Sequence, residues 1–296
     1  MAVREGWESV REAHEKKLSE VLGEPWTVDI DALSLFPYAA EDSWARSSPG
    51  EMIASYVSDA VSRLRYLIDR LGSELRTEIN DACPARILTM DLDEDELFSY
   101  CGCKVSADGK LVIVFRETYL GTNISSALDQ SHLEMALNEA PTTRATKPMN
   151  FRARMSIAGA GGHSSSSSSS SSSIRETQRR LSALLGGELA LVPGYEAVFD
   201  KLRASEEKER VEDWDAQLGP FVHLYFDGLL GYLEYHGFGA DQMLREGLLE
   251  AVKGGEVRFR LVDEIKRPYN EAVIEDGVLY LQVSTCSMKG HLPHEC

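Results

Sequence analysis

Ten consecutive serines, Ser164 to Ser173, interrupt this chain just past its midpoint. A run of this kind has no apolar surface to offset the entropy of ordering it, so it cannot be core and is expected to be disordered. With the glycines before it, it defines a flexible Gly/Ser-rich loop over 159–173. An N-terminal α+β part (1–158) precedes the loop, and a helical part ending in a β-hairpin (174–296) follows it. The loop reads either as a linker or as an insertion. One composite domain is favoured, because neither half by itself shows enough strands for a complete sheet.

Within the first half, Ser48-Pro49 opens a helix in which Ile53, Val57, Ala60, Val61, Leu64, Leu67, Ile68 and Leu71 recur at three- and four-residue steps. Pro49 suits the first helical position, Glu51 the place of a capping carboxylate, and Gly72 the stop. A second helix is expected from Glu5 to Leu22, ended by Gly23. After Pro84 the period shortens to that of strands. "ARILTM" reads as a strand, and the stretch from Leu97 to Glu117 as a hairpin turning at Asp108-Gly109. Leu111 to Phe115 is wholly apolar, as in a strand covered on both faces.

Beyond the serines, helical spacing covers most of 174–254, and "EVRFRLV" then alternates as a strand. A last hairpin is expected at Asp276-Gly277. Helices and hairpins in separate blocks predict an α+β fold, its helices packed on a mainly antiparallel sheet built from hairpins.

Charge narrows the function classes. The 296 residues carry a formal net charge of −17, which repels polyanions, so nucleic acid is an unlikely partner and an anionic membrane surface equally so. No apolar run approaches the 18 residues of a membrane span. The charged, amphipathic N-terminus does not resemble a secretory signal. Five cysteines at irregular spacing make a poor disulfide framework and read as free thiols in a reducing, cytoplasmic setting.

Against this acidic background, residues 141–180 hold seven basic side chains and one acid. Their local charge of +6 leaves −23 for the rest of the chain. Arg152, Arg154, Arg175, Arg179 and Arg180 are therefore candidates for binding a small anionic ligand or an acidic protein, unless this basic arm simply lies on its own acidic body. Arg179-Arg180-Leu181-Ser182 also resembles the substrate motif of basophilic protein kinases, which makes Ser182 a candidate phosphorylation site. A phosphate there would add about −1.5 to −2 charges and could turn basic attraction to the acidic body into repulsion.

Two further constellations could carry chemistry. Cys101 and Cys103, two apart on an expected strand, point to one face. With Cys286, His291 and His294 they offer the sulfur and imidazole ligands that zinc prefers, although C-x-C is not the usual knuckle spacing. The second is "FVHLYFDGLLGYLEYHGF", where His223, Asp227 and Glu234 share one helical stripe among large apolar neighbours. They are candidates for general acid–base or metal chemistry, or for a polar stripe that simply faces water. The acidic "DLDEDE" from Asp91 lacks the glycine and glutamate of a calcium-binding EF-hand loop and reads as a solvated turn.

No phosphate-binding loop, dinucleotide fingerprint or nucleophile elbow is present, and no pattern specifies a cofactor. The sequence is thus most consistent with a soluble intracellular interaction or regulatory protein carrying a basic Ser-rich loop on an acidic body. The alternatives are a hydrolase or transferase acting on a small anionic substrate through the His223 stripe, and a metal-binding protein.

Overall fold

A computed structural model describes residues 2–141, 143, 147–160, 173–205, 213–267 and 270–284, the side chains of residues 2–5 apart. The chain forms two compact units, 1–151 and 152–296. Among the described residues there are eleven α-helices and two four-stranded sheets, one sheet in each unit.

The first unit begins with α1 (Ala2–Leu22), β1 (Thr27–Val28), the one-turn helices α2 (Ala32–Leu35) and α3 (Trp44–Ser47), α4 (Pro49–Leu71) and α5 (Glu74–Ala82). The strands β2 (Ile87–Leu92), β3 (Cys101–Val105) and β4 (Leu111–Phe115) follow, and then α6 (Gln130–Glu139). The apolar stripe of α4 does what its spacing predicts. Ile53, Val57, Val61, Leu64 and Ile68 are all buried, and α4 packs along α1, which contributes Trp7, Leu18, Val21 and Leu22 to the core. Gly72 ends the helix at φ 102°, with its N–H donating to Ile68 O at 2.9 Å. Every residue of β4 is buried, and this strand lies inside the sheet between β2 and β3.

The second unit contains α7 (Phe151–Ala160, its first residue belonging to the first unit), α8 (Ile174–Leu185), β5 (Ala190–Val192) and α9 (Tyr195–Ala204). It continues through α10 (Leu218–Tyr235), α11 (Gln242–Ala251) and the strands β6 (Glu256–Val262), β7 (Glu271–Glu275) and β8 (Val278–Ser284). Phe221 and Tyr225 of α10 pack on Phe259 of β6, with ring centroids 5.8 and 4.9 Å away, and join helix to sheet. The two-residue turn Asp276-Gly277 has φ of 50° and 81°, the pair of positive values that a type I′ hairpin requires.

The α+β class holds, but the expected antiparallel hairpin sheet does not. In the first unit the strand order is β1-β2-β4-β3, and β1, β2 and β4 run parallel; only β3 is antiparallel. The second unit has the order β5-β6-β8-β7 with the same directions. Each unit thus repeats one topology, a three-stranded parallel sheet with an antiparallel edge. Hairpins supply only that edge. Parallel neighbours cannot be joined by a tight hairpin: helices intervene between β1 and β2 and between β5 and β6, whereas β2 reaches β4, and β6 reaches β8, by way of the antiparallel edge strand β3 or β7. The expected disordered Ser-rich insertion falls mostly at 161–172, outside the described residues. Ser173 is described: its side chain caps α8, accepting from Glu176 N at 3.2 Å. Among the described residues, no helix is long and apolar enough to cross a membrane.

Candidate functional site

The polar stripe of α10 lies along α8. His223 Nε2 is 3.0 Å from Thr177 Oγ1, a fully buried hydroxyl. Burial lowers the His223 pKa, with the Asp227 carboxylate opposing part of the shift. At the far end of the stripe, the Arg180 guanidinium donates to Glu234 Oε1 at 2.9 Å. Eleven residues separate His223 from Glu234, about 16 Å of helix. The two side chains are therefore engaged at different points along α8, each with its own partner. Among the described residues, no group of three His, Cys, Asp or Glu side chains is placed to hold a metal ion.

The basic segment meets local acids. Arg152 pairs with Asp213 at 2.6 Å and stands 3.7 Å from Asp215. Arg179 is held by Glu176 at 2.6 and 2.8 Å, an ion pair that lowers the Glu176 pKa. Lys147 sits between Glu78 and Asp81, 3.1 Å from each. Arg154 is also engaged. Arg175 is exposed, without an ion-pair partner among the described residues. Ser182 is half-buried inside α8, its carbonyl accepting from Gly186 N at 2.9 Å, and both arginines of its motif are engaged.

Cys101 and Cys103 are both buried on β3 and reduced, as is Cys83 at the end of α5. Burial pushes the Cys83 and Cys101 thiols up to about 12, and Cys103 higher. Thiols held this far from ionisation are packing groups, with Cys101 Sγ donating to Asn123 O at 3.2 Å. Cys286, His291 and His294 lie outside the described residues. The acidic turn after β2 is structural. Buried Asp93 accepts from Phe98 N at 2.9 Å, and Glu96 pairs with Arg116 at 2.7 Å.

Two clefts open in the first unit. One of about 420 Å³ is lined by Trp7, Glu8, Arg11, Asp29, Ile30, Asp31 and Ala32; a smaller one of about 150 Å³ lies beside Arg65, Asp69 and Arg76. In the larger, Asp31 caps α2 by accepting from Leu33 N at 3.0 Å, and Arg11 is bound to Glu15 at 3.0 Å. Asp31 and Arg11 are therefore already engaged.

What the sequence reading missed is the other stripe of α10. Leu224, Gly228, Gly231 and Tyr235 recur at steps of four, three and four, so they share a face. That face is exposed: Leu224 at 53% and Tyr235 at 86%, with Tyr232 beside them at 59%. The charged residues of the helix, Asp227 and Glu234, lie on the stripe toward α8, and the outward stripe carries no charge. A Cβ added to Gly228 or Gly231 would meet nothing within 4 Å among the described residues. Gly219, in the first turn of the same helix, is the contrast. There a Cβ would overlap the Ser156 carbonyl of α7, and Gly219 N donates to Ser156 Oγ at 2.9 Å. Close packing accounts for Gly219, whereas nothing in the described residues accounts for Gly228 or Gly231. The signal was legible in principle, since the stretch from Phe221 to Tyr235 has too few polar residues to clothe a solvent face.

No protein-family model matches this chain, and neither a curated protein nor a solved structure matches it.

Proposed function

We propose that this chain is a protein-interaction module whose contact surface is the outward face of α10. One observation carries the reading: a helix face made of Leu224, Gly228, Gly231, Tyr232 and Tyr235, uncharged and exposed. Contiguous exposed apolar surface on a chain of this kind marks a site of association. Tyrosines are among the side chains that dominate interface energetics. The basic residues flanking the serine tract take the lesser part, because Lys147, Arg152, Arg179 and Arg180 are occupied by acids of the chain itself. The acid–base alternative at His223 is less well supported, because His223 and Glu234 are engaged by different residues of α8.

A photo-crosslinking residue placed at Tyr235, with a control at Ser62 on the outward face of α4, tests the reading. A discrete adduct from position 235 that is absent from position 62 is the expected result. No adduct from 235, or equal adducts from both, would overturn it.

A further inference from the structure

Resting on that reading, we infer that the partner of the α10 face is a second copy of this chain, bound through an antiparallel pairing of the two α10 helices. The argument begins with the spacing of the face. Leu224, Gly228, Gly231 and Tyr235 are symmetric about the midpoint between Leu229 and Leu230. Gly228 and Gly231 stand one and a half residues to either side of it, and Leu224 and Tyr235 five and a half. A two-fold axis through that midpoint sets Gly228 against the partner's Gly231 and Leu224 against the partner's Tyr235. Such self-complementarity is what an isologous interface requires.

The glycines then have a use. They leave bare backbone where the two helices cross, so the axes can approach more closely than side chains would permit. The large residues at either end are free to reach across. A glycine inside a helix costs about 1 kcal/mol relative to alanine, and among the described residues nothing packs against Gly228 or Gly231.

Area and charge bear on the same occupant. Leu224, Tyr232 and Tyr235, exposed at 53%, 59% and 86%, offer with the bare backbone between them roughly 450 Å² per copy. A pair would then bury on the order of 900 Å², the size of a weak, reversible association. Two chains of net charge −17 repel each other, and a face without charge is the place where they can meet at least electrostatic cost. That repulsion is screened by salt, with a Debye length of about 10 Å at 0.1 M falling to about 3 Å at 1 M. Association should therefore strengthen as salt rises, opposite to an interface built on ion pairs.

Sedimentation velocity of the purified full chain, from low to high micromolar concentration and at 0.05 and 0.5 M salt, tests this. The chain mass is 32.9 kDa. The expected result is a monomer–dimer equilibrium whose dimer fraction grows with salt. Leu224→Glu should weaken association at least tenfold while leaving the circular dichroism spectrum and melting cooperativity of the monomer unchanged. A mixture of Gly228→Cys and Gly231→Cys chains, oxidised gently, should give disulfide-linked dimers faster than either variant alone, because the antiparallel pairing sets 228 against 231. A chain that stays monomeric at every concentration and salt overturns the inference. In that case an adduct between position 235 and a different protein would leave the interaction reading standing, and the absence of any adduct would remove both. Dimers that form equally well with Leu224→Glu would also overturn it.

Discussion

The two units share one sheet topology, yet their long helices meet the outside differently. Along α4 the outward positions are Glu51, Ser55, Ser58, Ser62, Arg65 and Asp69, all exposed, with Tyr66 the one large apolar side chain among them. Along α10 they are Leu224, Gly228, Gly231 and Tyr235. The fold demands an apolar inner stripe from both helices and leaves the outer one unconstrained. The polar face of α4 is therefore the ordinary outcome. Nothing among the described residues of its unit accounts for the apolar face of α10, and the proposed contact with a second chain provides a cause.

The comparison can be broken at the glycines. Gly219→Leu forces a side chain into the Ser156 backbone and should cost about 3 kcal/mol or more, by analogy with overpacked cores. A chemical denaturation midpoint read on the full chain checks this. Gly228→Ala, in open space nine residues on, should do the reverse. It should stabilise the unpaired chain by about 1 kcal/mol while weakening self-association, so melting at low protein concentration should rise as the dimer fraction falls. A Gly228→Ala chain that is less stable at high dilution would mean that the glycine serves its own unit.

The polar stripe sharpens the contrast more gently. His223 has a folded-state pKa lowered by burial, so protons bind the unfolded chain more tightly. Its contribution to stability is intact above the unfolded value near 6.5 and is lost as pH falls through the window below it. His223→Gln should therefore flatten the melting temperature of the chain between pH 7 and 5 relative to the parent. An unchanged pH profile would show that the ring is solvated. The smallest effect belongs to Glu234→Gln. Its pair with Arg180 is partly exposed on both sides and should contribute no more than about 0.5 kcal/mol, less in high salt.

Much of this architecture was legible in the residues. The α4 stripe, the apolar run of β4 and the turns at Asp108-Gly109 and Asp276-Gly277 follow from local periodicity and turn chemistry, and each sits where that chemistry places it. The parallel character of the sheets was not legible. It rests on β2 beside β4 and β6 beside β8, each pair separated in sequence by the antiparallel strand that lies outside it, and on β1 and β5, only two and three residues long; such pairings are set by partners that the adjacent sequence does not name. The repeat of topology was hidden for the same reason, because order and direction in a sheet are long-range properties.

At the candidate site, periodicity separated α10 into a polar and an apolar stripe without saying which faced out. His223, Asp227 and Glu234 drew attention as polar groups on an apolar helix. What decides the matter is α8, whose Thr177 and Arg180 engage His223 and Glu234 and so turn the apolar stripe outward. The pairing of arginines with local acids was equally out of reach, since Arg152 meets Asp213 across sixty-one residues of chain.

Hydrogen exchange read separately on α4 and α10, at low and high protein concentration, tests the account most directly. The account predicts that amides of α10 around Gly228 and Gly231 exchange more slowly as concentration rises, while those of α4 do not change. Equal behaviour of the two helices at every concentration would contradict it.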